Sequence, residues 1–73
     1  MIENVKFTKR EIEVLKLLII GLSNSEIAKK LHISTHTVKA HITSMYVKTG
    51  VHSRIVLVVM ALKSEQFLKK LRN

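Results

Sequence analysis

No acidic residue stands between Glu26 and Glu65, a stretch that holds Lys29, Lys30, Lys39, Lys48, Arg54 and Lys63 together with all four histidines, His32, His36, His41 and His52. Cations without counter-ions attract a polyanion, and the run S-T-H-T-V-K-A-H-I-T-S-M-Y gives several of them a helical setting. At about 100° per residue, Val38, Ile42, Met45 and Thr49 fall on one side of that helix. His36, Ala40, Thr43 and Val47 fall on the opposite side, flanked by Lys39 and Ser44. The first set belongs in a core. The second is mostly small and carries no acid, so the helix axis can approach base edges in a duplex, whose major groove admits a helix. Lys39 suits guanine acceptors or a phosphate, Thr43 a hydrogen bond or a thymine methyl, and Ala40 a methyl contact alone. The amides near Thr35 and His36, at the start of the helix, suit a phosphate.

Other chemistry finds little support in the residue types. His32 and His36 are four apart, but a helix start lies between them. His36 and His41 are five apart and point to different faces, with no carboxylate or cysteine beside them. No metal or other cofactor is therefore expected. His32 suits the turn, where histidine tolerates a left-handed backbone better than branched residues do. His41 should be half-buried beside the core stripe. His36 is expected near a phosphate, which would make binding mildly pH-dependent. Among the five carboxylates the closest pair, Glu11 and Glu13, projects to different helix faces. No Ser-His-Asp set, glycine-rich phosphate loop or nucleophilic cysteine is present, so the residues do not describe an enzyme.

The elements that must position these residues are legible from their ends. Thr8-Lys9-Arg10-Glu11 and Ser23-Asn24-Ser25-Glu26 are capping boxes. Ser34 and Ser53 are good N-caps, and Gly21 and Gly50 suit the left-handed position past a helix end. The expected helices cover about residues 8–20, 24–31, 35–49 and 54–63. The run I-V-L-V-V-M-A-L is β-branched enough for a strand, but a single strand would have no partner, so it is assigned to a helix. The tail, residues 64–73, either continues as a helix with Phe67, Leu68 and Leu71 on one face or frays. With Lys69, Lys70 and Arg72 it could lie on a membrane surface, but it is too short and too poor in apolar residues to bind lipid well. It reads better as an extension of a dimer interface or a cover for the first helix.

The chain of 73 residues makes a single all-α domain with a marginal core, for which a partner subunit is a help. It has no proline, two glycines and no cysteine, which suits helices and a reducing cytosol. Its net charge of +8 implies attraction to nucleic acid or to an anionic surface. The N-terminal Met1–Asn4 lacks the start of a signal peptide, and the apolar run Ile55–Leu62 is too short to span a bilayer. The same run is apolar all round, so one side should pack on the domain while Val56, Val59 and Met60, or Val58 and Leu62, meet a second copy.

The stretch from Ser23 to Arg54 resembles the helix-turn-helix of the LuxR/GerE regulators, and Phe7-Thr8-Lys9-Arg10-Glu11-Ile12-Glu13-Val14-Leu15 echoes the upstream signature of that family. The resemblance covers about residues 7–63 and implies four helices, the third in the major groove and the fourth paired with its copy. The chain is short enough to resemble the free-standing GerE type, without a receiver or ligand-binding domain. The resemblance places Lys39, Ala40 and Thr43 against bases, and His36 is counted with them. Thr35, Thr37 and Lys48 fall where the family holds phosphates, and Lys29 and Ser34 complete the expected phosphate set. Arg10 and Glu11 fall on a structural Arg-Glu pair. The chain departs from the family at Ala40, where polar residues are usual, at Thr49, where leucine is usual, and in its more apolar fourth helix.

The function expected is sequence-specific transcription regulation by a homodimer on double-stranded DNA. The alternatives are a protein-interaction module that engages another regulator through the fourth helix, and a DNA binder indifferent to sequence. No membrane partner is expected.

Overall fold

The computed structural model describes residues 5–71, and the side chain of Leu71 is outside that description. The expectations for Met1–Asn4, for Arg72 and for the Leu71 side chain lie outside the described residues. Five α-helices follow one another, with no strand among the described residues: α1 (Lys9–Ile19), α2 (Asn24–Leu31), α3 (Thr35–Thr49), α4 (Arg54–Leu62) and α5 (Glu65–Leu71).

Local chemistry sets each end. The Thr8 hydroxyl accepts from the Glu11 amide at 3.1 Å, and Glu11 Oε1 accepts from the Thr8 amide at 2.8 Å. Ser23 and Glu26 repeat the arrangement at the start of α2. Helix α1 closes through Leu22 N–H to the Leu17 carbonyl (3.1 Å), a bond that Gly21 permits by taking φ +92°. Helix α2 closes in the same way, with His32 in the left-handed position at φ +58° and Ile33 N–H on the Ala28 carbonyl. The turn role expected of His32 is thus the one it has. His32, Ile33 and Ser34 alone link α2 to α3, which makes the tight turn of a helix-turn-helix.

Helix α3 ends at Gly50, φ +76°, whose N–H donates to the Tyr46 carbonyl at 2.8 Å. A Cβ on Gly50 would meet no atom within 4 Å. Gly50→Ala should therefore cost only the backbone strain, about 1 kcal/mol, read as a lower urea midpoint with an unchanged slope.

Residues 65–71 are helical, as one of the two expectations had it, but they form a helix separate from α4. The buried Ser64 interrupts the helix and caps a new one, its hydroxyl accepting from the Phe67 amide at 3.1 Å. Helix α5 then packs on α4 and drops Phe67 into the core, while Val5 and Phe7 of the N-terminal segment lie beside it. Val14, Leu15 and Leu18 of α1, Ile27 and Ala28 of α2, Val38, Ile42 and Met45 of α3, and Leu57 and Ala61 of α4 complete that core. Each large side chain fully buried there contributes about 1.5–3 kcal/mol. Helices α3 and α4 meet at a bend of 65°, and among the described residues no single helix is long and apolar enough to cross a membrane.

Candidate nucleic-acid interface

Helix α3 packs on α1 and α2 through Val38, Ile42 and Met45 and leaves its other side bare. His36, Lys39, Ala40, Thr43 and Val47 are all exposed. His36, Ala40, Thr43 and Val47 are spaced 4, 3 and 4 residues apart, so they form one row within an arc of about 60°, with Lys39 along its edge. Thr49, on the inner side, replaces an apolar group without leaving its hydroxyl stranded: it donates to the Met45 carbonyl at 2.7 Å. His41 is half-buried beside the core side, as expected.

At the start of α3, the Ser34 hydroxyl accepts from the Thr37 amide at 3.0 Å and lies 2.9 Å from the Thr37 hydroxyl. Thr35 and Lys29 are exposed, and Thr37 is half-buried. No acid lies in the first turn of α3, so the partial positive charge of its amides is uncompensated there.

A polar network borders one edge of the outer row. Glu11, only 2% exposed, projects from α1 onto the flank of α3. Its Oε2 accepts from the Ser44 hydroxyl at 2.6 Å, and its Oε1 accepts from Lys48 Nζ at 2.7 Å and from the Thr8 amide. Burial pushes the Glu11 carboxyl up, but the hydrogen bonds from Lys48, Ser44 and the Thr8 amide outweigh it and hold it below its ordinary value. Lys48 also donates to the Lys6 carbonyl at 3.0 Å. Two sequence expectations change here. Ser44, placed by periodicity beside the outer face, turns in to Glu11. Arg10 and Glu11 are not each other's partners: Arg10 lies 3.3 Å from Glu13, and Glu11 belongs to Lys48. Lys48, expected on a phosphate, is exposed and also pairs with Glu11.

The opposite edge is a notch of about 170 Å³ lined by Asn24, Lys39, Ile42, Thr43, Tyr46 and Arg54. Arg54 spans it, donating to Asn24 Oδ1 and to the Leu22 carbonyl (2.8 Å). It thereby ties the first turn of α4 to the first turn of α2. Sequence reasoning passed over this bridge. A signal was present: an arginine at the start of an apolar helix sits against the helix dipole and needs a partner.

Helix α4 buries Leu57 and Ala61 and turns Ile55, Val56, Val59 and Leu62 outward. Val56, Val59 and Leu62 are each nearly half exposed, and Ile55 is 75% exposed. Met60 and Val58, expected on the same surface, are half-buried against the core. Helix α5 does not cover the outward face.

These elements have close counterparts among known proteins. The luxR family of bacterial regulatory proteins matches residues 5–61. The Fimbriae Z protein of Escherichia coli K12 is 47% identical over 51 residues, 70% of this chain and 24% of its own length. The oxygen regulatory protein NreC of Staphylococcus aureus is 47% identical over 58 residues, 80% of this chain and 27% of its own. The chain thus spans about a quarter of the length of these curated relatives. The capping box at Ser23, the three-residue turn and the bare side of α3 are the parts of a helix-turn-helix, and the chain belongs to the luxR family of bacterial regulatory proteins, a family of regulators and not of enzymes.

Proposed function

We propose that this domain binds double-stranded DNA sequence-specifically as a homodimer in the bacterial cytosol, with α3 in the major groove, and so regulates transcription. The observation that carries this reading is the exposed, acid-free outer side of α3, held rigid from behind by the core and from one edge by the Glu11 network. Lys39, Ala40 and Thr43 would meet base edges, with His36 near the start of the row. Ser34, Thr35 and Thr37 stand at the positive end of α3 and would hold phosphates, with Lys29 on α2 completing the set. Lys48 joins them with a reduced share, because Glu11 offsets its charge. Selection from a random duplex library at physiological salt tests the proposal. A pseudo-palindrome with half-sites about one helical turn apart is expected, and recovery of no enriched motif would refute specific readout.

The dimer would form through Val56, Val59 and Leu62 with Ile55 at the margin, an apolar face that water does not favour. Val59→Asp places a charge at its centre while leaving Leu57 and Ala61 in the core. Sedimentation should then show a monomer, and affinity for the two-half-site operator should fall by at least about a hundredfold as linkage of the two sites is lost. The same face motivates a second reading, a protein-interaction module that docks on another regulator. Wild-type protein that stays monomeric, ignores duplex DNA at low salt and binds a larger regulator would favour it.

A further inference from the structure

Val47 has no part in the fold. It lies 78% exposed near the end of α3, more than any other large apolar side chain among the described residues. It continues the row of Ala40 and Thr43, and these three present methyl groups to the outside along a span of about 10 Å, at 1.5 Å per residue. That span matches about three base-pair steps at 3.4 Å each. Lys39 supplies charge at the edge of the row, and no acid opposes a duplex anywhere between Glu26 and Glu65. In the major groove, the group that answers an exposed methyl is the C5-methyl of thymine.

Resting on the DNA-binding reading above, we infer that α3 reads thymine methyl groups, and that Val47 is the specificity-determining residue for the outermost of them. The half-site then contains thymines spread over about three successive steps beneath the row. These apolar contacts add to the specificity that Lys39 supplies at one edge of the row.

The test uses the site recovered by selection. Each thymine is replaced in turn by deoxyuridine, which pairs identically and lacks only the methyl. Affinity should fall about fourfold at each thymine beneath the row, as expected for one buried methyl-sized group, and stay unchanged at thymines elsewhere. In Val47→Ala, the loss should vanish at one position and persist at the others. Position 47 is outside the core, so the variant should keep the helical circular dichroism and melting of the parent. A selected site that binds equally well with deoxyuridine throughout overturns the inference but leaves DNA binding standing. A Val47→Ala protein that keeps every methyl dependence removes Val47 from the readout. Failure to select any site overturns the DNA-binding reading itself, and the methyl readout with it.

Discussion

Lys48→Ala should destabilise this domain by about 2 kcal/mol, because it takes a charge-assisted hydrogen bond from a buried carboxylate, although Lys48 itself is partly exposed. The Glu11 carboxylate would stay buried with only the Ser44 hydroxyl and the Thr8 amide to solvate it. For a chain of this size total stability is about 4–11 kcal/mol, so the loss is a large fraction. Urea unfolding of Lys48→Ala, Glu11→Gln and the double variant gives the coupling, and the double should be clearly less destabilised than the sum of the singles. Additive losses would show that the pair is held by crowding and not by charge. The pH dependence has a defined sign. Glu11 is held below its ordinary value when folded, so its contribution is complete above the unfolded carboxylate range and is lost as pH falls through the lower folded value. The stability advantage of wild type over Glu11→Gln should therefore shrink on acidification and not on raising the pH. The double variant also isolates the phosphate role proposed for Lys48, since its DNA affinity is measured without a stranded carboxylate.

Lys39→Ala should lower affinity for the selected operator by about a hundredfold. A base contact of this kind is worth about 1–3 kcal/mol, and a dimer makes it twice. Affinity for unrelated duplex should change only a few-fold, and the preference at the base opposite Lys39 should relax. Thr43→Ala should relax a different position by less. Both side chains are exposed, so melting should be unaffected. Fluorescence anisotropy on selected and scrambled duplexes at one salt concentration separates the two effects. Equal loss on both duplexes would make Lys39 a phosphate contact and move the base-reading edge to the other side of the row.

Much of this arrangement is written locally. The capping boxes at Thr8 and Ser23, the caps at Ser34 and Ser53, and the left-handed His32 and Gly50 each depend on residues within a few positions of one another. The fold class and the outer row of α3 follow from them. Periodicity alone misplaced Ser44, because a helical wheel knows only angles and Ser44 stands at the boundary where α1 arrives. Glu11 was read as a cap and a member of a structural pair but not as buried, although its spacing from Val14, Leu15 and Leu18 puts it on the core stripe of α1. An acid on such a stripe requires a buried cationic or hydroxyl partner. The partner could have been sought; its identity could not.

The amino-acid sequence by itself determined the helices, their ends, the acid-free side of α3 and the family, since these rest on short-range hydrogen bonding and on the period of the apolar residues. Tertiary structure alone decided that Ser44 and Lys48 turn to Glu11, that Arg54 ties α4 to Asn24, and that residues after Ser64 form a separate helix sealing the core with Phe67. The three contacts made by Ser44, Lys48 and Arg54 join residues 33, 37 and 30 positions apart. At such separations the partner of a polar group is set by which helix the shared apolar core draws against it, and not by anything in its own neighbourhood.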